Sequence, residues 1–141
     1  MNNRTILLVE DNRDDELFAM MAFKKNNVAT QVVVARDGQE ALDYLFNPAN
    51  VLPALVLLDL KLPKVSGLDV LRQVRADART SLVPVIVLTS SLHESDLKAS
   101  YALGGNSYIC KSLDLDRFTF EIGVVARYWL EINKPPPPNN N

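Results

Sequence analysis

Five apolar residues, Ala54 to Leu58, run without a polar break into a single carboxylate, Asp59, and Pro63 and Gly67 follow within eight residues. A run of this length, rich in Leu and Val and bounded by turn residues, fits a central parallel strand covered on both faces. The C-terminal end of such a strand is where open α/β sheets place their chemistry. Taken alone, Asp59 would serve equally well as a cap for the following loop or helix. Its meaning therefore depends on what else the chain brings to the same place.

The pattern recurs along the chain. Thr5 to Val9 is a β-branched and aliphatic run that ends at Glu10-Asp11, and Asn12 or Asp11 can cap a helix from about Arg13 to Lys25, with Leu17, Phe18, Met20 and Met21 at helical spacing. Thr30 to Ala35 is a second strand, and Gln39 to Phe46 a second helix with Ala41, Leu42 and Leu45 on one face. After the Asp59 strand, Ser66 caps a helix with Leu68, Val70, Leu71 and Val74 inward, running to about Ala78. Pro84 to Thr89 is a fourth strand. A short helix from about Glu94, carrying Leu97, Tyr101 and Leu103, stops at Gly104-Gly105. Ser107 to Cys110 is a fifth strand ending at Lys111, and Asp114 opens a last helix to about Asn133, which Pro135 to Pro138 must end. Five β/α units in alternation predict an α/β fold, a parallel five-stranded sheet wound with helices on both faces. We expect one domain over residues 1–133 and a Pro/Asn-rich tail over 134–141 without core-forming residues.

Composition narrows the function. A chain of 141 residues with 48% hydrophobic content builds one core and no second domain. Its net charge of −2 and pI near 5.3 give no electrostatic footprint for nucleic acid, so DNA binding is not expected. The single cysteine, Cys110, reads as a small buried hydrophobe in a reducing compartment. No secretory leader precedes Thr5 and no run of about 18 apolar residues occurs, so the expected location is the cytoplasm, away from any membrane.

Every strand that carries a polar group of interest carries it at its C-terminal end: Glu10-Asp11, Asp59, Thr89 and Lys111. In an open α/β sheet these ends converge on one crevice. Carboxylates gathered so closely repel one another unless a cation compensates, and hard oxygen ligands suit Mg²⁺. Asp11 and Asp59 are candidate direct ligands, while Thr89 and Lys111 would offer a hydrogen bond and a positive charge to a phosphoryl group. The chemistry that fits is phosphoryl transfer to a carboxylate, with Asp59 the candidate nucleophile. A flavodoxin-like cofactor binder would instead need an amide-rich, phosphate-cradling loop where Glu10-Asp11 stands. An aspartate-nucleophile phosphohydrolase would place a second acid two residues after Asp59, and Lys61 occupies that position. An unphosphorylated interaction module would have no need of the acid set.

At these residues the chain resembles the response-regulator receiver domain. Leu8-Val-Glu-Asp-Asn12, Leu57-Leu-Asp-Leu-Lys-Leu-Pro63 with Gly67, Val87-Leu-Thr-Ser90 and Tyr108-Ile-Cys-Lys111 match its pattern over about residues 5 to 132. The resemblance implies a (βα)₅ fold of strand order 2-1-3-4-5 and phosphorylation of Asp59 by the phosphohistidine of a sensor histidine kinase. It implies Mg²⁺ (or Mn²⁺) at Asp11, Asp59 and the backbone carbonyl of Lys61, with Glu10 acting through water. Thr89 and Lys111 would hold the phosphoryl group, and Tyr108 would swing inward when Thr89 moves. In place of the family's usual proline after the lysine, this chain has Ser112. Either a costly cis peptide is kept there or the loop after Lys111 is rebuilt.

The last helix is apolar on two sides. Leu115, Phe118, Ile122, Val125, Trp129 and Ile132 form one stripe at 100° per residue, and Phe120, Val124 and Tyr128 form another nearly opposite. One stripe suffices for the core, so the second predicts a protein contact, most economically a twofold dimer, the alternative being a stripe covered by the chain's own tail. The ending from Tyr128 to Pro136, together with Lys111-Ser112, is similar to the single-domain regulators associated with bacterial phytochromes. That narrower resemblance implies a red-light-sensing kinase partner and a dimer built through the last helix.

Overall fold

The computed structural model describes residues 5–27 and 31–137. Thr30, the expected first residue of the second strand, and the extreme ends of the chain lie outside them. Five strands, β1 (Thr5–Val9), β2 (Gln31–Ala35), β3 (Leu55–Leu58), β4 (Val85–Thr89) and β5 (Ser107–Cys110), form one parallel sheet in the order β2-β1-β3-β4-β5. The helices are α1 (Arg13–Asn26), α2 (Gly38–Phe46), α3 (Gly67–Ala76), α4 (Glu94–Ala102) and α5 (Leu115–Arg127), the last continued by a π-helical turn over Tyr128–Ile132.

Burial follows strand position. Every residue of β3 and β4 is buried, whereas the edge strands β2 and β5 are mostly half-buried. Because side chains alternate across a strand, one apolar run serves two cores. Ile6, Leu8, Leu55, Leu57, Ile86 and Leu88 pack against Ala19, Ala22, Phe23, Phe118, Ile122 and Ala126 of α1 and α5. Leu7, Val9, Val56, Leu58 and Val85 face Ala41, Leu42, Leu45, Val70, Leu71 and Val74 of α2 and α3. Full burial of each Val, Leu, Ile or Phe among them contributes about 1.5–3 kcal/mol.

Caps place the helix starts. Asn12, Asp37, Ser66 and Asp114 each accept a backbone N–H from the first turn of α1, α2, α3 and α5.

Three helix faces differ from the sequence expectation. In α1, Leu17 and Met21 are exposed while Ala19, Ala22 and Phe23 turn inward. Close approach to α5 selects small residues: a Cβ on Gly123 would lie 2.3 Å from Asn26 Oδ1, and the Asn26 amide donates to Thr119 O (3.2 Å) across the contact. In α4, Leu97 and Tyr101 are exposed, and Ser100 is the helix's buried residue. In α5, Phe118 and Ile122 are buried as expected, but Leu115 and Ile132 are exposed. The cause at the far end is the π-helical turn, closed by Asn133 N–H to Tyr128 O (2.6 Å), which shifts the phase so that Leu130 joins the expected Trp129 against the core and Ile132 turns outward.

Candidate functional site

Strand order reverses between β1 and β3, because α1 leaves β1 on one face of the sheet and α3 leaves β3 on the other. A crevice opens at such a point beyond the carboxyl ends of the strands. Glu10-Asp11 follows β1 directly and Asp59 follows β3, with the ladder carried past the strand by Asp59 N–H to Val9 O (3.1 Å). One carboxylate oxygen from each of Glu10, Asp11 and Asp59 lies within 4.8 Å of the others. Glu10 and Asp59 are buried and Asp11 is exposed, so the trio has a floor and an open side.

The Lys111 ammonium reaches into this group from the end of β5. Its Nζ lies 2.6 Å from Glu10 Oε1, 2.9 Å from Asp59 Oδ2 and 2.9 Å from Asp15 Oδ2. Lys61 N–H donates to Asp59 Oδ1 (3.3 Å), and Asn12 N–H to Glu10 Oε2 (3.2 Å). Thr89 is fully buried at the end of β4, where its hydroxyl accepts from Ser91 N–H (3.4 Å). Tyr108, on β5, donates its hydroxyl to Ser91 O (2.9 Å), so both groups meet at one loop residue. Ser91 Oγ donates in turn to Asp96 Oδ2 (2.5 Å) on α4.

The loop after β3 is held by close backbone packing. Gly67 N–H donates to Leu60 O (2.9 Å), and a Cβ on Gly67 would fall 2.3 Å from the carbonyl oxygen of Asp59. Lys64, at φ +67°, occupies the left-handed region, and its ammonium lies 3.5 Å from Asp37. Among the described residues no peptide bond is cis, so Lys111-Ser112 is trans. Ser112 Oγ accepts from Asp114 N–H (3.1 Å) ahead of α5. Cys110 is half-buried rather than fully buried, with Sγ 4.0 Å from Ser91 O.

Burial pushes the Glu10 carboxyl up to about 7, against the pull of Lys111 and with a smaller upward push from Asp59. Burial alone would lower Lys111, but its bonds to Glu10, Asp15 and Asp59 overcome that and raise it above the ordinary lysine value. For Tyr108, burial outweighs the bond to Ser91 and raises the phenol. Folded Glu10 therefore takes up its proton at higher pH than the unfolded chain, whose carboxyl titrates near 4.5. Glu10's contribution to stability is full below about 4.5 and lost as pH rises to about 7. In EDTA, the urea midpoint of wild type is expected to fall relative to Glu10→Gln across that window; parallel pH profiles would contradict the assignment.

Glu10, Asp11, Asp59, Thr89 and Lys111 thus meet at one end of the sheet, with Tyr108 joined through Ser91 and Lys61 through its amide. Sequence reasoning missed Asp15 and Ser91. Asp15 is the third residue of α1 and its partner Lys111 lies 96 residues away, so no local spacing announces it. The donor set fits a hard divalent cation: three carboxylate oxygens close enough to share one ion, partly neutralised by the chain's own ammonium.

A parallel sheet of order 2-1-3-4-5 with acids at this switch point defines a class of signalling domain, and the chain belongs to it: residues 6–122 match the response regulator receiver domain family. It is a two-component response regulator domain rather than a conventional enzyme. Its relatives include the response regulator Rcp1 of Synechocystis, 34% identical over 91% of this chain and 90% of that protein. Another is the probable methanogenesis regulatory protein FilR2 of Methanothrix harundinacea, 40% identical over 94% of this chain and 88% of that one. Among solved structures, the phosphorylated cyanobacterial phytochrome response regulator RcpA superposes with a TM-score of 0.89 at 36% identity, covering 96% of this chain and 99% of that one. The Mn²⁺-bound form of Rcp1 gives 0.88 at 33% identity over 95% and 99%. The bacteriophytochrome response regulator AtBRR gives 0.76 at 42% identity over 99% and 100%.

Proposed function

We propose that Asp59 accepts a phosphoryl group from the phosphohistidine of a sensor histidine kinase, and that the phosphorylated chain signals through protein contacts. The observation that carries this reading is Asp59 itself, a buried carboxylate at the β1/β3 switch point, bonded by Lys111 and joined by two further acids. The phytochrome names of RcpA and AtBRR favour a phytochrome as the kinase.

Asp59 attacks phosphorus with a carboxylate oxygen, an O–P bond forms, and the bond from phosphorus to the donor nitrogen breaks. Lys61 N–H orients the carboxylate through Oδ1, leaving Oδ2 toward Lys111. The Lys111 ammonium offsets charge as the phosphoryl group arrives, and Thr89 donates its O–H, which the bond it accepts from Ser91 N–H leaves free. Movement of Thr89 toward that group draws on Ser91, to which Tyr108 is also bonded, so Tyr108 follows Thr89 as the switch. Glu10, Asp11, Asp59 and the Lys61 carbonyl would hold Mg²⁺ or Mn²⁺. When bound, the ion supplies further neutralisation between an anionic nucleophile and an anionic phosphate. Incubation with a small phosphodonor should add phosphate to wild type in Mg²⁺ and not in EDTA, and should leave Asp59→Asn unmodified. An equal adduct on the variant, read by intact mass, would refute Asp59 as acceptor.

We further propose residues 1–133 as the signalling unit, residues 134–141 as its tail, and a homodimer through α5. Phe120, Val124 and Tyr128 are exposed by 60%, 52% and 44%, and Arg117 lies 5.8 Å over the Phe120 ring. The double variant Phe120→Glu/Tyr128→Glu should sediment as a monomer where wild type is dimeric. Unchanged sedimentation would remove this face from consideration.

A further inference from the structure

The Lys111 ammonium has three N–H donors, and Glu10, Asp59 and Asp15 take one each. Glu10 and Asp59 belong to the acidic trio; Asp15 does not. It stands in the first turn of α1, where its own N–H is fixed by Asn12 Oδ1 (3.0 Å), and its side chain is 36% exposed. The helix cap therefore sets the Asp15 backbone, while its carboxylate reaches the lysine that closes the far side of the crevice. Asp15 and Asp59 are bonded to the same nitrogen, so their carboxylates lie within two hydrogen-bond lengths of each other.

We propose that Asp15 is a positioning residue that competes with the phosphoryl group for Lys111, and so weakens the hold of the site on any phosphoryl group carried by Asp59. The competition rests on Asp59 being the acceptor. Phosphorylation of Asp59 adds negative charge at the point where Lys111 already serves Asp15. A carboxylate and a phosphoryl oxygen are comparable acceptors for an ammonium, so Asp15 keeps one N–H engaged and adds direct repulsion. Asp15 is thereby a brake on the phosphorylated state, outside the set of residues that touch the reacting atoms.

An opposite role is imaginable for the same geometry: a tether that holds Lys111 in place and assists phosphoryl binding. The two separate cleanly by substitution. Asparagine keeps an oxygen that accepts from Lys111 but removes the charge, and alanine removes both. A competitor predicts that both variants strengthen the hold on an anion; a tether predicts that asparagine is neutral and alanine harmful.

The test measures Mg²⁺-dependent binding of beryllofluoride, a phosphoryl mimic, to wild type, Asp15→Asn and Asp15→Ala, together with the lifetime of the acyl phosphate formed from a small phosphodonor. One charge removed from a half-open site should tighten beryllofluoride binding in both variants by about three- to tenfold and lengthen the lifetime in the same sense. Damage to the fold would not produce a gain in affinity. Unchanged or weaker binding in both variants, or asparagine like wild type with alanine weaker, would overturn the proposal. A wild type that takes up phosphate while the Asp15 variants match it removes the brake alone. A wild type that neither binds beryllofluoride nor takes up phosphate brings down the acceptor reading, and the brake with it.

Discussion

Gly67→Ala is expected to destabilise the protein by about 3 kcal/mol or more and to abolish phosphate uptake, although residue 67 has no functional side chain. The added methyl would meet backbone and not a flexible side chain: the Asp59 carbonyl oxygen at 2.3 Å, Leu60 Cα at 2.6 Å and the Asp59 carbonyl carbon at 3.0 Å. Backbone can yield only by opening the loop between β3 and α3, which breaks the Gly67 N–H bond to Leu60 O and moves Asp59 itself. Urea denaturation would register the lost stability, and intact mass after phosphodonor treatment the lost acceptor. A variant with wild-type midpoint and adduct would show that the loop has room this packing denies it.

Lys111→Met should have the second large effect, with two separable parts. Without metal, Glu10, Asp59 and Asp15 would face one another with no ammonium between them. Removing one partner from a largely buried ionic group costs about 3–5 kcal/mol, and the half-exposed Asp15 together with Glu10's readiness to take a proton reduce this to about 2–4 kcal/mol. Mg²⁺ should restore part of that stability, because a cation again occupies the cluster. Phosphoryl transfer should remain slowed, on the order of a hundredfold or more, since the charge facing the incoming group is gone. Denaturation in EDTA and in Mg²⁺, with the rate of adduct formation, distinguishes the two parts. A rate close to wild type would show that Lys111 only fills space.

The sheet was legible because its strands are apolar runs whose polar residues sit at the ends. Asp59, Glu10, Asp11, Thr89 and Lys111 therefore fall on one rim from the sequence alone. The strand order was not legible from periodicity and came from resemblance to the receiver family. The faces of α1 and α4 were misjudged because size does not decide burial where helices meet closely. Ala22 and Gly123 pack between α1 and α5 while Leu17 and Met21 face out, and α4 buries Ser100 while Leu97 and Tyr101 stay exposed. At the end of α5 a helical wheel assumes a constant turn, and the π-helical turn breaks that assumption after Trp129, so Leu130 turns in and Ile132 out. Asp15 was invisible for a different reason: its partner Lys111 lies 96 residues away, and no local pattern announces the pair.

The central claim is that the carboxylate of Asp59 becomes an acyl phosphate. Borohydride reduces an acyl phosphate to an alcohol, leaving homoserine where aspartate stood, and peptide sequencing by mass spectrometry then locates it. After phosphodonor and Mg²⁺, homoserine is expected at position 59 in wild type. Homoserine at Asp11 or Asp15 with position 59 unchanged, or none at any position in a chain carrying phosphate, would contradict the account.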